Sequence, residues 1–189
     1  SSTLMWAADG IFQAISVSTS AMVARFWGQK DFDYARTIAG QSLSFSIIVA
    51  LVLMAILMPI ARLFLQHVMG GEPDVAVRGA LYVRILLATS PISFLLTISN
   101  SIMRATGDTR KPMMITGQMN VINIVVCYIL IFGLGPIPRL ELAGAALATS
   151  LARTLGGIMA LRTVFSSKNP IHLSFRHVRQ WDWSLIRRM

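Results

Sequence analysis

Five runs of mostly apolar residues, each close to the length of a membrane-crossing helix, limit what this chain can fold into. They lie at about 5–27, 42–65, 79–103, 113–134 and 142–165. A helix needs about 20 apolar residues to cross the hydrocarbon core. In lipid each backbone polar group must find its partner inside the protein, which leaves helices or closed barrels. A barrel strand alternates apolar and polar at every second residue, and a run such as LSFSIIVALVLMAILMPIARLFL does not. The fold class expected is therefore all-α, a polytopic transmembrane bundle of five spanning helices. Composition agrees: charged residues make up 13% of the chain and mean hydropathy is +0.64, against about 25% charged in soluble domains.

The segments between the runs are short, so consecutive helices run antiparallel. GQKDFDYAR (28–36) is expected to be a polar loop, GGEPD (70–74) a turn, and GPIPRLE (135–141) a connection holding two prolines. Placing 28–36, 102–112 and the residues after 165 on one side, with the flanking Arg25 and Arg162, gathers twelve of the 17 Lys and Arg there; four fall on the other side and Arg153 lies within a helix. By the positive-inside rule the first side is cytoplasmic. The net charge of +9 is thus spread over loops and tail, not gathered in a basic stripe with interleaved aromatics, so no nucleic-acid partner is expected. Residues 170–189 place Phe175, Val178, Trp181, Leu185 and Met189 at helical spacing among arginines. This predicts an amphipathic helix lying on the inner leaflet or packed on protein. The organisation expected is a membrane domain at 1–166 followed by an amphipathic linker at 167–189. The chain has no starting Met, and a piece of a longer protein is expected.

One interruption is polar in a particular way. IMRATGDTRKPM (102–113) sets Arg104, Gly107, Asp108, Thr109, Arg110, Lys111 and Pro112 between two apolar runs. Gly107 and Asp108 suit a helix stop, because glycine accepts the left-handed backbone and an aspartate bonds its own turn. Pro112 suits the first turn of the next helix, where its missing N–H costs nothing. A tight turn accounts for all of this.

The same stretch, RATGDTRKPM followed by Asn120 and Asn123, also resembles the multidrug and toxic compound extrusion (MATE) family of antiporters. GQKDFDYAR, LAGAALATSLAR and WDWSLIRRM resemble further stretches of that family in the same order, so the likeness covers about 10–189. It implies that the five helices are helices two to six of one lobe of a two-lobe transporter, with helix one and the second lobe lying outside this chain. The function implied is secondary active efflux coupled to H⁺ or Na⁺, from a plasma or inner membrane. Partners implied are the bilayer, small-molecule substrates with cations among them, and the second lobe; no cofactor is implied. A lipid-linked oligosaccharide flippase of the same superfamily, or a non-transporting scaffold, are the alternatives.

Polar side chains within the spans are the candidate cavity residues, since such groups usually face a bundle interior or water. They are Asn100, Asn120, Asn123, Cys127, Thr149 and Arg153. The resemblance places Asn100, Asn123 and Thr149 at polar positions of the N-lobe cavity, where some members handle cations or protons. The plainer reading is interhelical hydrogen bonding, worth about 0.6 kcal/mol on average. Cys127 departs from the family: members with an N-lobe ion site carry an acid there, and a cysteine in an apolar run behaves as a small hydrophobe. Arg153 stands where a Gln-like residue is common in the family. It either lines the cavity or snorkels. Asp9 is expected at the membrane interface. Gly144, Ala148 and Ala152 form a small-residue stripe for close helix approach. Met113, Met114, Met119, Phe94 and Tyr128 are expected to fill core or to furnish an adaptable wall. His67, His172 and His177 lack ligand spacing, and no GxxxxGK[ST] phosphate loop is present, so neither an enzyme nor an ATP-driven pump is expected.

Overall fold

The computed structural model describes residues 2–68, 73–133, 141–166 and 171–173, with side chains at 10, 13–56, 58–59, 84–133, 143–166 and 171–173. Among these residues five helices follow one another: α1 (Ser2–Gly28), α2 (Phe32–Val68), α3 (Pro73–Ala105), α4 (Arg110–Phe132) and α5 (Glu141–Phe165). Among the described residues, four helical segments are long and apolar enough to cross a membrane: Phe32–Ile56, Arg84–Ala105, Arg110–Phe132 and Ala143–Phe165.

The polar stretch 28–36 is not the loop expected. α2 begins at Phe32, so only Gln29, Lys30 and Asp31 separate it from α1. Hydropathy marks where a helix enters lipid, while local hydrogen bonding decides where it starts. The Lys30 N–H donates to Trp27 O (3.1 Å) and the Asp31 N–H to Phe26 O (3.1 Å), the paired bonds that close a helix through one left-handed residue. That residue is Lys30, with φ 63°. Asp31 Oδ1 then accepts from the Tyr34 N–H (3.2 Å) and caps α2.

The α3–α4 turn is built the same way. The Gly107 N–H donates to Arg104 O (3.0 Å) and the Asp108 N–H to Met103 O (3.1 Å), with Gly107 at φ 87°. Asp108 Oδ1 accepts from the Lys111 N–H (3.2 Å), and Asp108 Oδ2 pairs with Lys111 Nζ at 2.8 Å. The Lys111 hydrogen bond holds the Asp108 carboxyl below its usual range, with further lowering from backbone donors at Lys111 and Arg110 against a smaller opposing effect of burial. Thr109 precedes the helix without a side-chain capping bond. Pro112 lies buried in the first turn of α4. Both loops on this end thus use one device: a left-handed residue followed by a capping aspartate.

At the other end Pro73 opens α3, a favoured first-turn position. The rest of the expected 70–74 turn, residues 70–72, and 135–140 of the proline-bearing connection lie outside the described residues. α4 stops at Gly133, φ 68°. Within α3, Pro91 removes one ladder donor, and the Ser90 hydroxyl donates to Leu87 O (2.8 Å), the carbonyl left without its N–H partner.

α3 is the hub. It packs on α1, α2 and α5, and α4 packs mainly on α5. α3 and α4 hardly touch, although only Thr106–Thr109 separate them. Ile38, Leu43, Ile98, Ile102, Met103, Ile115 and Val164 are core residues. The core is not all apolar: Ser16, Thr19, Gln41, Ser42, Ser46, Ser99 and Ser101 are buried. Ser16 and Ser101 share a hydrogen bond across α1 and α3. Arg104 Nη2 donates to the same Ser101 hydroxyl (2.8 Å).

Pairs of touching residues confirm the alternating direction of α3, α4 and α5. Gly144 meets Leu130, Thr149 meets Asn123 and Gly156 meets Met119, so α5 runs antiparallel to α4; Ser150 meets Thr89 and Gly157 meets Ile92, so it runs parallel to α3. The stripe Gly144, Ala148 and Ala152 is buried as expected. After α5 the chain folds back. The Leu173 N–H donates to Val164 O (3.2 Å), and Ile171 and Leu173 are buried. Residues 171–173 are not helical, so the expected 170–189 helix does not begin there. The remainder of the expected 170–189 helix lies outside the described residues.

With Cys127 replaced by Ser, single cysteines at exposed Thr109 and at Glu72 are expected to react from opposite sides of the membrane, position 109 from the cytoplasm. Labelling of position 109 by an impermeant maleimide added to intact cells would reverse the orientation.

Candidate functional site

Three polar rows follow from helical spacing. Ser93, Thr97, Asn100 and Arg104 recur at steps of four, three and four on α3. Thr116, Asn120, Asn123 and Cys127 do the same on α4, and Thr149 and Arg153 lie one turn apart on α5. The structure joins the second and third rows. Asn123 Nδ2 donates to Thr149 Oγ1 (3.3 Å), and Thr149 in turn donates to Ala145 O (2.9 Å). Thr149 is thereby held between its own helix backbone and the α4 amide.

The other candidates are not drawn into that bond. Asn100 is buried, 7% exposed, and its Oδ1 accepts no hydrogen bond. Such an orphan acceptor costs roughly 1–3 kcal/mol in an apolar setting. It sits on the helix that contacts α1, α2 and α5. Asn120 is exposed, and Cys127 is half-buried with a free thiol. The side chain of Asp9 lies outside the described residues. Arg104, Gly107, Asp108, Thr109 and Pro112 form the turn described above, outside the polar rows apart from Arg104.

Arg153 is exposed, yet it is not on the outer face of α5. Leu151, Leu155 and Ile158 are 50%, 44% and 42% exposed and share that face. At about 100° per residue, Arg153 points roughly opposite them. Its direction falls between Ser150 and Gly157, which meet α3, and Thr149 and Gly156, which meet α4. It therefore opens into the crevice that α3 and α4 leave between them, with α5 as floor.

The methionine and aromatic wall divides. Met119 and Phe94 pack against the core, whereas Met113, Met114 and Tyr128 are 69%, 59% and 59% exposed, on the outer face of α4 with Val121, Ile124, Val125 and Phe132. These three are not core among the described residues, because α4 packs mainly on α5.

The buried hydroxyl seam between α1, α2 and α3 escaped the sequence reading. Its signal is the density of small hydroxyl residues in ISVSTS, QSLSFS and ISNS, which look innocuous singly because each can bond its own helix, as Ser42 does to Ile38 O (2.8 Å). Among the described residues no group of three or more His, Cys, Asp or Glu is placed to hold a metal ion.

Solved transporters share this arrangement. An inward-facing MATE transporter of the MOP superfamily superposes with a TM-score of 0.80 at 26% identity, over 92% of this chain and 38% of that one. A probable multidrug resistance protein NorM of Thermotoga maritima is 27% identical over 165 residues, 87% of this chain and 35% of that protein. An FAD transporter of Shewanella oneidensis is 50% identical over a shorter stretch of 60 residues, 32% of this chain and 13% of that protein. The chain thus spans little more than a third of the longer-matching relatives. Residues 1–129 match the MatE family, and with the helical bundle and order of elements in agreement, the chain belongs to that family of multi-pass membrane proteins.

Proposed function

We propose that this chain forms most of one lobe of a secondary active efflux transporter for small molecules. The observation that supports this best is the superposition on a MATE transporter over 92% of this chain but 38% of the solved one. A second lobe then supplies the other wall of a midplane cavity, and alternating access proceeds by rocking one lobe against the other. The substrate is an organic small molecule; the coupling ion is H⁺ or Na⁺, and no cofactor takes part. The relatives carry transporter names, which favours transport over the flippase and scaffold alternatives.

In this reading Asn123 and Thr149 belong to the cavity wall, and Asn100 supplies an acceptor that a substrate, ion or conformational change can satisfy. Asn120, Cys127 and Arg153 lie on the same polar rows. Neither an amide, a hydroxyl nor a guanidinium releases a proton near neutral pH, so coupling through protons requires an acid other than these residues.

The test is efflux from cells carrying the full-length protein, with the proton and sodium gradients collapsed in turn. Efflux that persists without either gradient would sink secondary transport. In the same assay Asn123→Ala is expected to slow efflux by about two- to tenfold, the worth of one hydrogen bond of roughly 0.5–1.5 kcal/mol. Cys127→Ser is expected to leave the ion dependence unchanged. Unaltered efflux in Asn123→Ala would return that residue to plain helix packing.

A further inference from the structure

Arg153 is the thirteenth of the 25 residues of α5, at the middle of a span. A cation there requires water, a countercharge or both. Snorkelling does not answer the requirement well. The residue is about 18 Å of helix from either end of α5, and its direction is into the α3–α4 crevice, opposite the outward-facing Leu151, Leu155 and Ile158.

The chain provides little to neutralise it. Between Val75 and Trp181 the sequence holds two carboxylates, Asp108 and Glu141. Asp108 is in the turn beyond the end of α3 and is paired with Lys111. Glu141 opens α5, three turns of helix away from Arg153. α2 contributes Asp33, at its first turn, bonded to Arg36. Two acids within helices remain: Asp74, in the first turn of α3 and about four turns before Thr89 and Ile92, which meet α5 around Arg153, and Asp9 of α1, which packs on α2 and α3, whereas α5 packs on α3 and α4. The neighbours that do surround the Arg153 direction are uncharged: Ser150 and Thr149 on α5, Thr89 on α3 and Asn123 on α4. Thr149 and Asn123 are bonded to each other, and Ser150 to Thr89 (3.1 Å), which fixes these side chains at the crevice wall.

We infer that Arg153 is a charge-selecting residue of the cavity and that the transported molecule carries a phosphate or carboxylate which Arg153 binds. The inference rests on the transport reading and narrows its substrate class. Arginine suits the task because its planar fork takes two oxygens of one anionic group at once. The same charge excludes organic cations. Asn123 and Thr149, one turn away, are placed to meet a polar part of the bound molecule.

The experiment uses the full-length protein in proteoliposomes and in detergent, with probes that separate charge from shape. Riboflavin and riboflavin 5′-phosphate differ by one phosphate; ethidium is a planar cation and carboxyfluorescein a planar anion. Wild-type protein is expected to bind and move the two anions in preference to riboflavin and ethidium. Arg153→Gln is expected to weaken both anions by about ten- to a hundredfold, the range for one charge-assisted contact, to leave riboflavin unchanged and to admit ethidium. Arg153→Lys is expected to restore part of the anion preference. Wild-type protein that binds neither anion, or an Arg153→Gln protein with the wild-type order of probes, overturns the inference. Anion binding that is lost in Arg153→Gln while no probe moves under any ion gradient would sustain Arg153 and defeat the transport reading.

Discussion

Gly157→Ala in the full-length protein is expected to lower the unfolding temperature in detergent, while Gly156→Ala, its neighbour, leaves it unchanged or raises it. A Cβ on Gly157 would lie 2.6 Å from Ile92 Cγ2 and 2.9 Å from Ile92 O. The methyl can rotate away, but the carbonyl belongs to the α3 backbone, so α3 and α5 must separate. Overpacking of this kind costs about 1–3 kcal/mol, more than the roughly 1 kcal/mol that alanine gains over glycine within a helix. A Cβ on Gly156 would meet Met119 Sδ at 3.1 Å, the end of a flexible side chain that can yield. Gly144→Ala repeats the first case against α4, with Leu130 O at 2.8 Å. Gly157→Val and Gly144→Val are expected to cost still more. Equal destabilisation by Gly156→Ala and Gly157→Ala would mean that backbone approach is not what positions α5 as the floor of the crevice.

The second large effect is expected at the α3–α4 turn. Gly107→Val forces a β-branched residue to φ 87°, where only glycine is comfortable. A loss of about 1–2 kcal/mol is expected from the backbone alone. Asp108→Ala removes the bond to the Lys111 N–H and the 2.8 Å pair with Lys111 Nζ. Loss of the cap costs about 1 kcal/mol, and the partly exposed pair adds up to about 1 kcal/mol. The pH dependence separates charge from cap. The Asp108 carboxyl titrates lower when folded than when unfolded, chiefly through the Lys111 hydrogen bond. Its electrostatic stabilisation is therefore complete above the unfolded value, near pH 4, and is lost as pH falls through the lower folded value. Asp108→Asn keeps a capping oxygen without the charge. Its deficit in unfolding temperature should be largest at pH 6–7 and shrink towards pH 3. A deficit that stays constant across that range would mean that the Asp108 charge contributes nothing to stability. The α1–α2 turn offers a comparison, because Asp31 caps α2 in the same way but follows Lys30 rather than a glycine.

What the sequence determined is what its local physics determines. Backbone groups in lipid must be satisfied within their own segment, so the apolar runs are helices, and their order, number and alternating direction follow from short connections. The stop at Gly107–Asp108 was legible because a left-handed residue and a capping aspartate leave residue-type signatures. The matching stop at Lys30–Asp31 was not, because lysine is an unusual tenant of left-handed backbone. The early start of α2 was missed for a related reason: capping begins a helix wherever donors are met, inside or outside the span.

The tertiary structure alone decided which faces meet. These helices are apolar nearly all round, so a period of 3.6 gives no direction to the core. Asn123 could have bonded any neighbouring helix; the rotation and crossing of α4 and α5 set it against Thr149. The close contacts at Gly144 and Gly157 depend on Leu130 and Ile92, residues far away in sequence. Arg153 was visible as a charge inside a span, but whether it faced lipid, core or crevice rested on α3 and α4 standing apart above α5. That separation is a property of packing among three segments, and no single stretch of the chain encodes it.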